Sequence, residues 1–353
     1  MWVRNCWYVA GWDHELEAGE IISRTILGEP VALYRAGDGG IVALEDRCCH
    51  RFAPLSRGRL EGDDLRCMYH GLKFDRSGAC VEIPGQDLIP RTACVRTYPV
   101  VQRHSWIWVW MGDPARADEA LIPAAVGLDD PDWNLRSGYM DYEANYQLIN
   151  DNLTDFTHLS YVHANSFGSS DEFAHTRPNV ERLDRGLRIW RWILKPSRPD
   201  ASNVLRRNGD VESWQTYDFL VPGVLLMRSA VYPQGTAERC AMRPPPDDVE
   251  PVNDTFTSQA VTPITEKTSR YFFSWGPRSG QGSDAVADAL LELANLAFSE
   301  DKSIIEAQQR MIDLDPGRKE VLTSADVGPT QFRSVIQRLV AAESGVARAS
   351  AVA

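Results

Sequence analysis

The sequence lacks any long hydrophobic run. Its most apolar stretch, Trp106 to Met111, is far short of the ~20 residues that a membrane-spanning helix needs, so no membrane partner is expected. Positive charge is also short: 37 Lys and Arg stand against 49 Asp and Glu, for a formal charge of −12. A nucleic-acid-binding surface has to neutralise phosphates, so nucleic acid is not an expected partner. The N-terminus, Met1-Trp2-Val3-Arg4-Asn5-Cys6, has no basic segment followed by an apolar one, so no secretory leader is read and a cytoplasmic location is expected. Cysteine is sparse and odd in number, at seven, which argues against a disulfide framework. Nucleophile-elbow and phosphate-loop motifs are missing too, as are internal repeats and low-complexity tracts.

The residues present read as two domains over 353 positions. Residues 1–114 look all-β. The runs Val31–Tyr34 and Ile41–Leu44 flank Gly37-Asp38-Gly39-Gly40 as a hairpin, and further strands fit Leu72–Phe74, Cys80–Ile83 and Trp106–Trp110. An acidic, alanine-rich connection follows Asp113-Pro114. Residues 115–353 mix helix and antiparallel strand: helix over 145–163, strands over 185–275, helix over 284–311 and 330–343, and a short Ala/Ser-rich tail after Ser344.

The few cysteines and histidines are not scattered. Cys48, His50, Cys67 and His70 form C-x-H-x16-C-x2-H. Two thiolates and two imidazoles suit zinc or an iron–sulfur cluster. Each short segment here supplies one of each. A zinc finger of the two-Cys, two-His type groups its cysteines first. A Rieske [2Fe-2S] centre instead puts two Cys on one iron and two His on the other, which fits this order. Cys49 stands between Cys48 and His50 and is read as a bystander.

A second constellation lies downstream. Asp155 and His158 are three residues apart and would share a helix face. His158 and His163 lie roughly 140° apart on an ideal helix, so both reach one metal only if the helix ends or distorts between them. The run Asn165-Ser166-Phe167-Gly168-Ser169 supports an end there. Two histidines and a carboxylate make the facial triad of mononuclear non-haem Fe(II). Asp155 could be that carboxylate or an outer partner orienting His158. Asp301 is the better candidate. It falls on the stripe Leu290, Leu293, Ala294, Ala297, Ile304, Ile305, where a buried charge needs a partner or a metal. Its neighbour Glu300 is turned about 100° away and is expected in solvent.

With both constellations in place, the chain resembles the Rieske non-haem iron oxygenase α-subunits over nearly its whole length. Arg51 after His50, Gly71 after His70, and Asn152-x2-Asp155-x2-His158-x4-His163 with a late Asp301 carry the likeness. Arg4–Ala10, Arg51–Ser56, Trp106–Trp110, Asp151–Leu153 and Glu300–Lys302 look similar to the vanillate and dicamba O-demethylase group. One departure is Cys49, where the family usually has Pro.

The resemblance implies an α+β chain, with an N-terminal all-β Rieske domain followed by a helix-grip-like catalytic domain of antiparallel sheet and helices. It implies one [2Fe-2S] cluster on Cys48, His50, Cys67 and His70, and one Fe(II) on His158, His163 and Asp301. The partners it implies are O2, an NAD(P)H-dependent flavin/iron–sulfur reductase with or without a ferredoxin, and a small aromatic substrate. Asp155 would bridge His158 to the cluster of a neighbouring subunit through that subunit's His70, in a head-to-tail homotrimer. Asn152 would lie close to the iron and Gln259 would contact substrate. The expected reaction is O-demethylation of an aryl methyl ether with release of formaldehyde. Ring, methyl or N-methyl hydroxylation by the same machinery is the alternative.

Overall fold

The computed structural model describes residues 1–197 and 210–351, and part of the expected strand region, 198–209, lies outside them. The chain forms two compact units. One comprises Met1–Ile122 with Thr262–Glu266, and the other comprises Pro123–Val261 with the chain from Lys267 onward.

The first unit is built of short antiparallel strands. They are β1 (Trp7–Trp12), β2 (Ile21–Ile26), β3 (Glu29–Arg35), β4 (Ile41–Glu45), β5 (Arg59–Glu61), β6 (Asp64–Arg66), β7 (Lys73–Phe74), β8 (Cys80–Glu82), β9 (Val100–Arg103) and β10 (Trp106–Trp110). Three sheets run in the orders β1-β10-β9, β2-β3-β4 and β5-β6-β7-β8. The expected hairpin is β3 with β4, paired Val31↔Glu45 through Leu33↔Ala43. Trp106–Trp110 does not alternate in polarity because β10 is the central strand and buried on both faces. Trp7 meets Trp110 edge-on at 5.4 Å, and Trp106 meets Trp108 likewise at 5.4 Å. Residues 262–266 complete this unit. Leu27 and Gly28 donate their N–H groups to the carbonyls of Pro263 and Ile264, and Thr262 Oγ1 donates to the Val9 carbonyl.

The second unit is a seven-stranded antiparallel sheet with few helices. Its strands are β11 (Arg136–Tyr142), β12 (Asn179–Leu183), β13 (Gly186–Ile193), β14 (Val211–Leu220), β15 (Val224–Pro233), β16 (Asn253–Pro263) and β17 (Ser269–Pro277), in the order β11-β17-β16-β15-β14-β13-β12. The helices are α1 (Tyr146–Thr154), α2 (Glu172–His175), α3 (Thr236–Arg239), α4 (Asp284–Leu314) and α5 (Val327–Ala351). The α+β architecture expected from the sequence is what the chain adopts. α4 packs on β17 and β11, and α1 packs between α4 and α5. The buried stripe of α4 is Ala287, Leu290, Leu293, Ala294, Ala297, Asp301, Ile305 and Gln309. Ile304, read as part of that stripe, is instead exposed, because it sits a full 100° from Ile305. α5 starts earlier than expected and runs through the tail after Ser344. No helix among the described residues is long and apolar enough to cross a membrane.

The expected helix over 145–163 is cut short. α1 ends at Thr154, and Asp155 leaves helical geometry at φ −133°, ψ 105°. Its carboxylate then accepts from the Thr157 backbone N–H at 2.8 Å and from Thr157 Oγ1 at 3.0 Å. Asp155 thus closes one helix and caps the 3-10 turn Phe156–Ser160. The α-helix breaks before His158, and the 3-10 turn that carries His158 ends in turn at Ser160, so helical geometry also stops between His158 and His163, as their shared metal requires.

Candidate metal centres and cavity

Cys48–Ala53 and Cys67–Leu72 are the same loop built twice. In each, the cysteine N–H donates to the carbonyl five residues on: Cys48 to Ala53 at 2.9 Å, Cys67 to Leu72 at 2.8 Å. In each, the cysteine carbonyl accepts from the residue four on: Phe52 at 2.9 Å, Gly71 at 3.0 Å. Those fourth residues share a left-handed backbone, φ 60° at Phe52 and 78° at Gly71. A Cβ on Gly71 would lie 2.8 Å from Pro84 Cγ, so this position has no room for a side chain. Asp46 holds the flank of the first loop by accepting from Ser56 N–H and Ser56 Oγ, both at 2.6 Å. Arg66 holds the second by donating to the Gly71 carbonyl at 2.7 Å while pairing with Glu82 and Glu61.

The repeat turns Cys48 and Cys67 inward and His50 and His70 outward. The two imidazoles meet at 4.5 Å between ring centres. Burial and the neighbouring Cys67 thiol push Cys48 up to about 12. Cys48 therefore favours the thiol form unless a cation compensates its thiolate, which is what iron supplies. Cys49 is partly buried and packs against the same core that holds Cys48, Cys67 and Cys80.

In the second unit His158, His163 and Asp301 bring their ligand atoms within 4.8 Å of one another. Nδ1 of His158 lies 2.7 Å from the Asp155 carbonyl, and Nδ1 of His163 lies 2.8 Å from Glu300 Oε2. Both partners only accept, so both Nδ1 atoms carry hydrogen and both Nε2 atoms offer a lone pair. His163 Nε2 then faces Asp301 at 3.1 Å, and His158 Nε2 faces it at 3.5 Å. Lone pairs aimed at a carboxylate call for a cation between them, and the donor set of two imidazoles and one carboxylate fits Fe(II). Burial holds His158 below the ordinary histidine range, as a metal-ligating imidazole requires. At His163 burial acts in the same direction, but the Asp301 and Glu300 carboxylates outweigh it and raise the net value.

Asn152 and Asp155 surround this set. Asn152 Nδ2 donates to Asp301 Oδ1 at 3.1 Å and lies 3.4 Å from His158 Nε2. Asp155 reaches His158 through its backbone carbonyl, since its carboxylate is taken up by Thr157. Glu300 was expected in solvent. It instead accepts from His163 and from Ser166 Oγ, the latter at 2.6 Å. The sequence signal for it was its position beside Asp301 on the same helical turn; the missing information was that residues 163–166 approach α4 from the side.

The three ligands line a cavity of about 170 Å³. Phe156, Phe167, Phe173, Trp275 and Phe298 give it aromatic walls. An apolar cavity near 150 Å³ takes up benzene, so this one has room for a single substituted ring. Gln259 is on the wall, but its amide is engaged at both ends: Tyr271 OH donates to Oε1 at 2.6 Å and Nε2 donates to Thr257 Oγ1 at 3.0 Å.

Comparison with known proteins agrees with both units. Residues 6–99 match the Rieske [2Fe-2S] domain, and residues 142–342 match the vanillate O-demethylase oxygenase C-terminal domain. The iron-sulfur subunit of the toluene-4-sulfonate monooxygenase system of Comamonas testosteroni is 45% identical over 352 residues, covering 98% of this chain and 99% of that protein. The vanillate O-demethylase oxygenase subunit of a Pseudomonas species is 36% identical over 328 residues, covering 90% and 96%. The crystal structure of dicamba monooxygenase with non-heme iron and dicamba superposes with a TM-score of 0.78 at 32% identity, covering 98% and 99%.

The fold, the twinned Cys/His loops and the His/His/Asp set define a Rieske-type oxygenase, an oxidoreductase that draws its electrons from a reductase partner. The chain belongs to the vanillate O-demethylase oxygenase family. It is a terminal oxygenase component, and it presents a ligand set for each of the family's two cofactors, a [2Fe-2S] cluster and a mononuclear iron.

Proposed function

We propose that this chain hydroxylates a methyl carbon on a small aromatic substrate. The observation that carries the reading is the aromatic-walled cavity whose lining includes His158, His163 and Asp301. On an aryl methyl ether the reaction is O-demethylation: ether, O2, two electrons and two protons give a phenol, formaldehyde and water. On a ring methyl the same oxidation gives a benzylic alcohol. That second reading is favoured by the toluene-4-sulfonate relative, which is nearer in sequence than the demethylase.

In this proposal residues 1–114 carry the [2Fe-2S] cluster, with Cys48 and Cys67 on one iron and His50 and His70 on the other. Residues 115–353 carry the Fe(II), held by His158, His163 and Asp301. When bound, the iron supplies O2 activation; the protein supplies position and exclusion of water. Phe167 packs edge-on against His163 at 4.9 Å and against Trp275 at 5.9 Å, closing the ligand side with rings. The Asp155 carbonyl and the Glu300 carboxylate fix the two imidazoles. Asn152 shares a hydrogen with Asp301 and holds that carboxylate in place. Gln259 shapes the wall against which the substrate lies. Asp155 links the iron site to the cluster of a neighbouring subunit in a head-to-tail homotrimer. The enzyme works in the cytoplasm with an NAD(P)H-dependent flavin/iron–sulfur reductase, with or without a ferredoxin.

The test begins with metal content. Wild type should carry three irons and two labile sulfides per chain, and Asp301→Ala two irons with the Rieske signal intact. A colourless protein would end the proposal. Turnover of vanillate and of toluene-4-sulfonate then separates the reactions, by formaldehyde in one case and a benzylic alcohol in the other. Products hydroxylated on the ring alone would refute the methyl-carbon reading.

A further inference from the structure

Arg191 on β13 is almost wholly buried, at 4% exposure. Its contacts are weak for a charge. Nε lies 3.4 Å from Gln215 Oε1, and Nη1 lies 3.4 Å from the carbonyls of Phe173 and Thr176. The guanidinium also lies over the rings of Phe173, at 5.1 Å, and Phe156, at 5.8 Å. Nη2 has no hydrogen-bond partner. No carboxylate among the described residues comes within ion-pairing distance of it. A buried cation left this way costs several kcal/mol of the order set by desolvation, so it calls for a compensating role.

Strand register supplies that role. Arg191 pairs with Gln215, Gln215 with Ser229, and Ser229 with Thr255. Directly paired residues in an antiparallel sheet project from the same face. The four side chains therefore form one polar row across β13 to β16. Gln215, Ser229 and Thr255 all line the cavity, and so do Phe156 and Phe173, on which the guanidinium rests. The next rows of the same face are more apolar, with Met227 between Tyr217 and Thr257. Because Gln215 Oε1 faces Arg191, its Nε2 hydrogens are left to donate elsewhere. Apart from Asp301 of the ligand set, the cavity lining carries no acidic side chain to neutralise Arg191.

We propose that the row Arg191–Gln215–Ser229–Thr255 is the subsite for an anionic substituent, a sulfonate or carboxylate, on the aromatic substrate. This rests on the reading of the cavity as the site of a small aromatic. Gln215 and the two hydroxyls contact the anion. Arg191 is a positioning residue: it orients the Gln215 amide and lends a positive charge that no carboxylate among the described residues pairs directly and that only the more distant Asp155 offsets, an effect the low-dielectric surroundings amplify. The row selects acids over neutral rings of the same shape.

Calorimetric binding to the iron-loaded holoenzyme tests this without turnover. The probes are toluene-4-sulfonate, 4-methylbenzoate and the neutral toluene-4-sulfonamide. Wild type should bind at least one anion about 10- to 100-fold more tightly than the sulfonamide, the range expected for hydrogen bonds to a charged group. The tighter anion names the class. Arg191→Met should erase that preference, weakening the anions far more than the sulfonamide. Gln215→Glu leaves Arg191 in place and supplies its missing carboxylate, so it should erase the preference even where Arg191→Met fails to fold. Equal affinity for anions and sulfonamide in wild type overturns the subsite but leaves the aromatic-cavity reading standing. Undiminished anion preference in Gln215→Glu also overturns it. Failure of all three probes to bind overturns both.

Discussion

Glu300 accepts a hydrogen bond from His163 Nδ1 at 2.8 Å, while the adjacent Asp301 faces Nε2 of the same ring at 3.1 Å. Two consecutive carboxylates of one helix thus engage opposite sides of one imidazole. The ring cannot tilt without losing one of them. Removing Glu300 frees the tautomer and the tilt, and Ser166 loses its acceptor as well.

Glu300→Ala should therefore weaken iron retention by roughly 10- to 100-fold, the usual effect of losing a partner that orients a ligand. Glu300→Gln, which keeps an acceptor oxygen, should fall in between. Fe(II) titration of protein with an intact Rieske spectrum measures this. Unaltered iron affinity in Glu300→Ala would show that the contact does not orient the ligand.

Asp155 makes the opposite prediction. Its carbonyl, not its carboxylate, holds His158, and Asn caps a turn as well as Asp does. Asp155→Asn should keep all three irons and the same melting temperature. Turnover should nevertheless drop by roughly 100-fold, at the top of the range for such partners, if Asp155 carries the bridging charge proposed above. Loss of iron in this variant would place the role of Asp155 in ligand support instead.

The twinned loops can be told apart by substitution. Gly71→Ala forces a side chain onto a left-handed backbone at a cost of about 1–2 kcal/mol, and directs it at Pro84. Labile sulfide should fall well below two per chain. Phe52→Gly, at the matching position, relieves a strained φ and gives up a ring that is already exposed. Its sulfide content should equal that of wild type.

Acid should loosen the second loop first. The Arg66 guanidinium, with help from Arg59, holds Glu61 down at about 2, and Arg66 with Lys73 keeps Glu82 below its usual range. A carboxylate held low in the fold stabilises it above the ordinary glutamate value. That contribution drains away as the pH falls from about 4.5 toward 2. Arg66→Met removes it at neutral pH, so the gap in urea midpoint between wild type and variant should be wide at pH 6 and narrower at pH 3. A gap that does not change with pH would mean that Arg66 acts only through the Gly71 carbonyl.

The two ligand sets differ in how readable they were. Cys48/His50 and Cys67/His70 are each local, so spacing alone exposed them. Asp301 was visible because a charge interrupted an apolar stripe. Glu300 was not, because helical geometry says which way a side chain leaves its own helix and nothing about the loop that comes to meet it. The early end of α1 did have a local sign, Asp155 two residues before Thr157, but it was outweighed by the expectation of helix over 145–163 with any end or distortion falling between the two histidines. The engagement of Gln259 by Tyr271 depends on the pairing of β16 with β17, and strand register is set by the whole sheet.

The segment Thr262–Glu266 adds a constraint of a different kind. The N-terminal unit is not one continuous stretch of gene. A fragment stopped anywhere between residues 114 and 122 would leave the Leu27 and Gly28 amides without the Pro263 and Ile264 carbonyls. Chimeras that exchange the cluster-bearing module between relatives would need to transplant this five-residue insert along with it. Of the contacts with Leu27, Gly28 and Val9, only the one from Thr262 Oγ1 uses a side chain, so it is the conformation of the insert, more than its sequence, that such a transplant has to preserve.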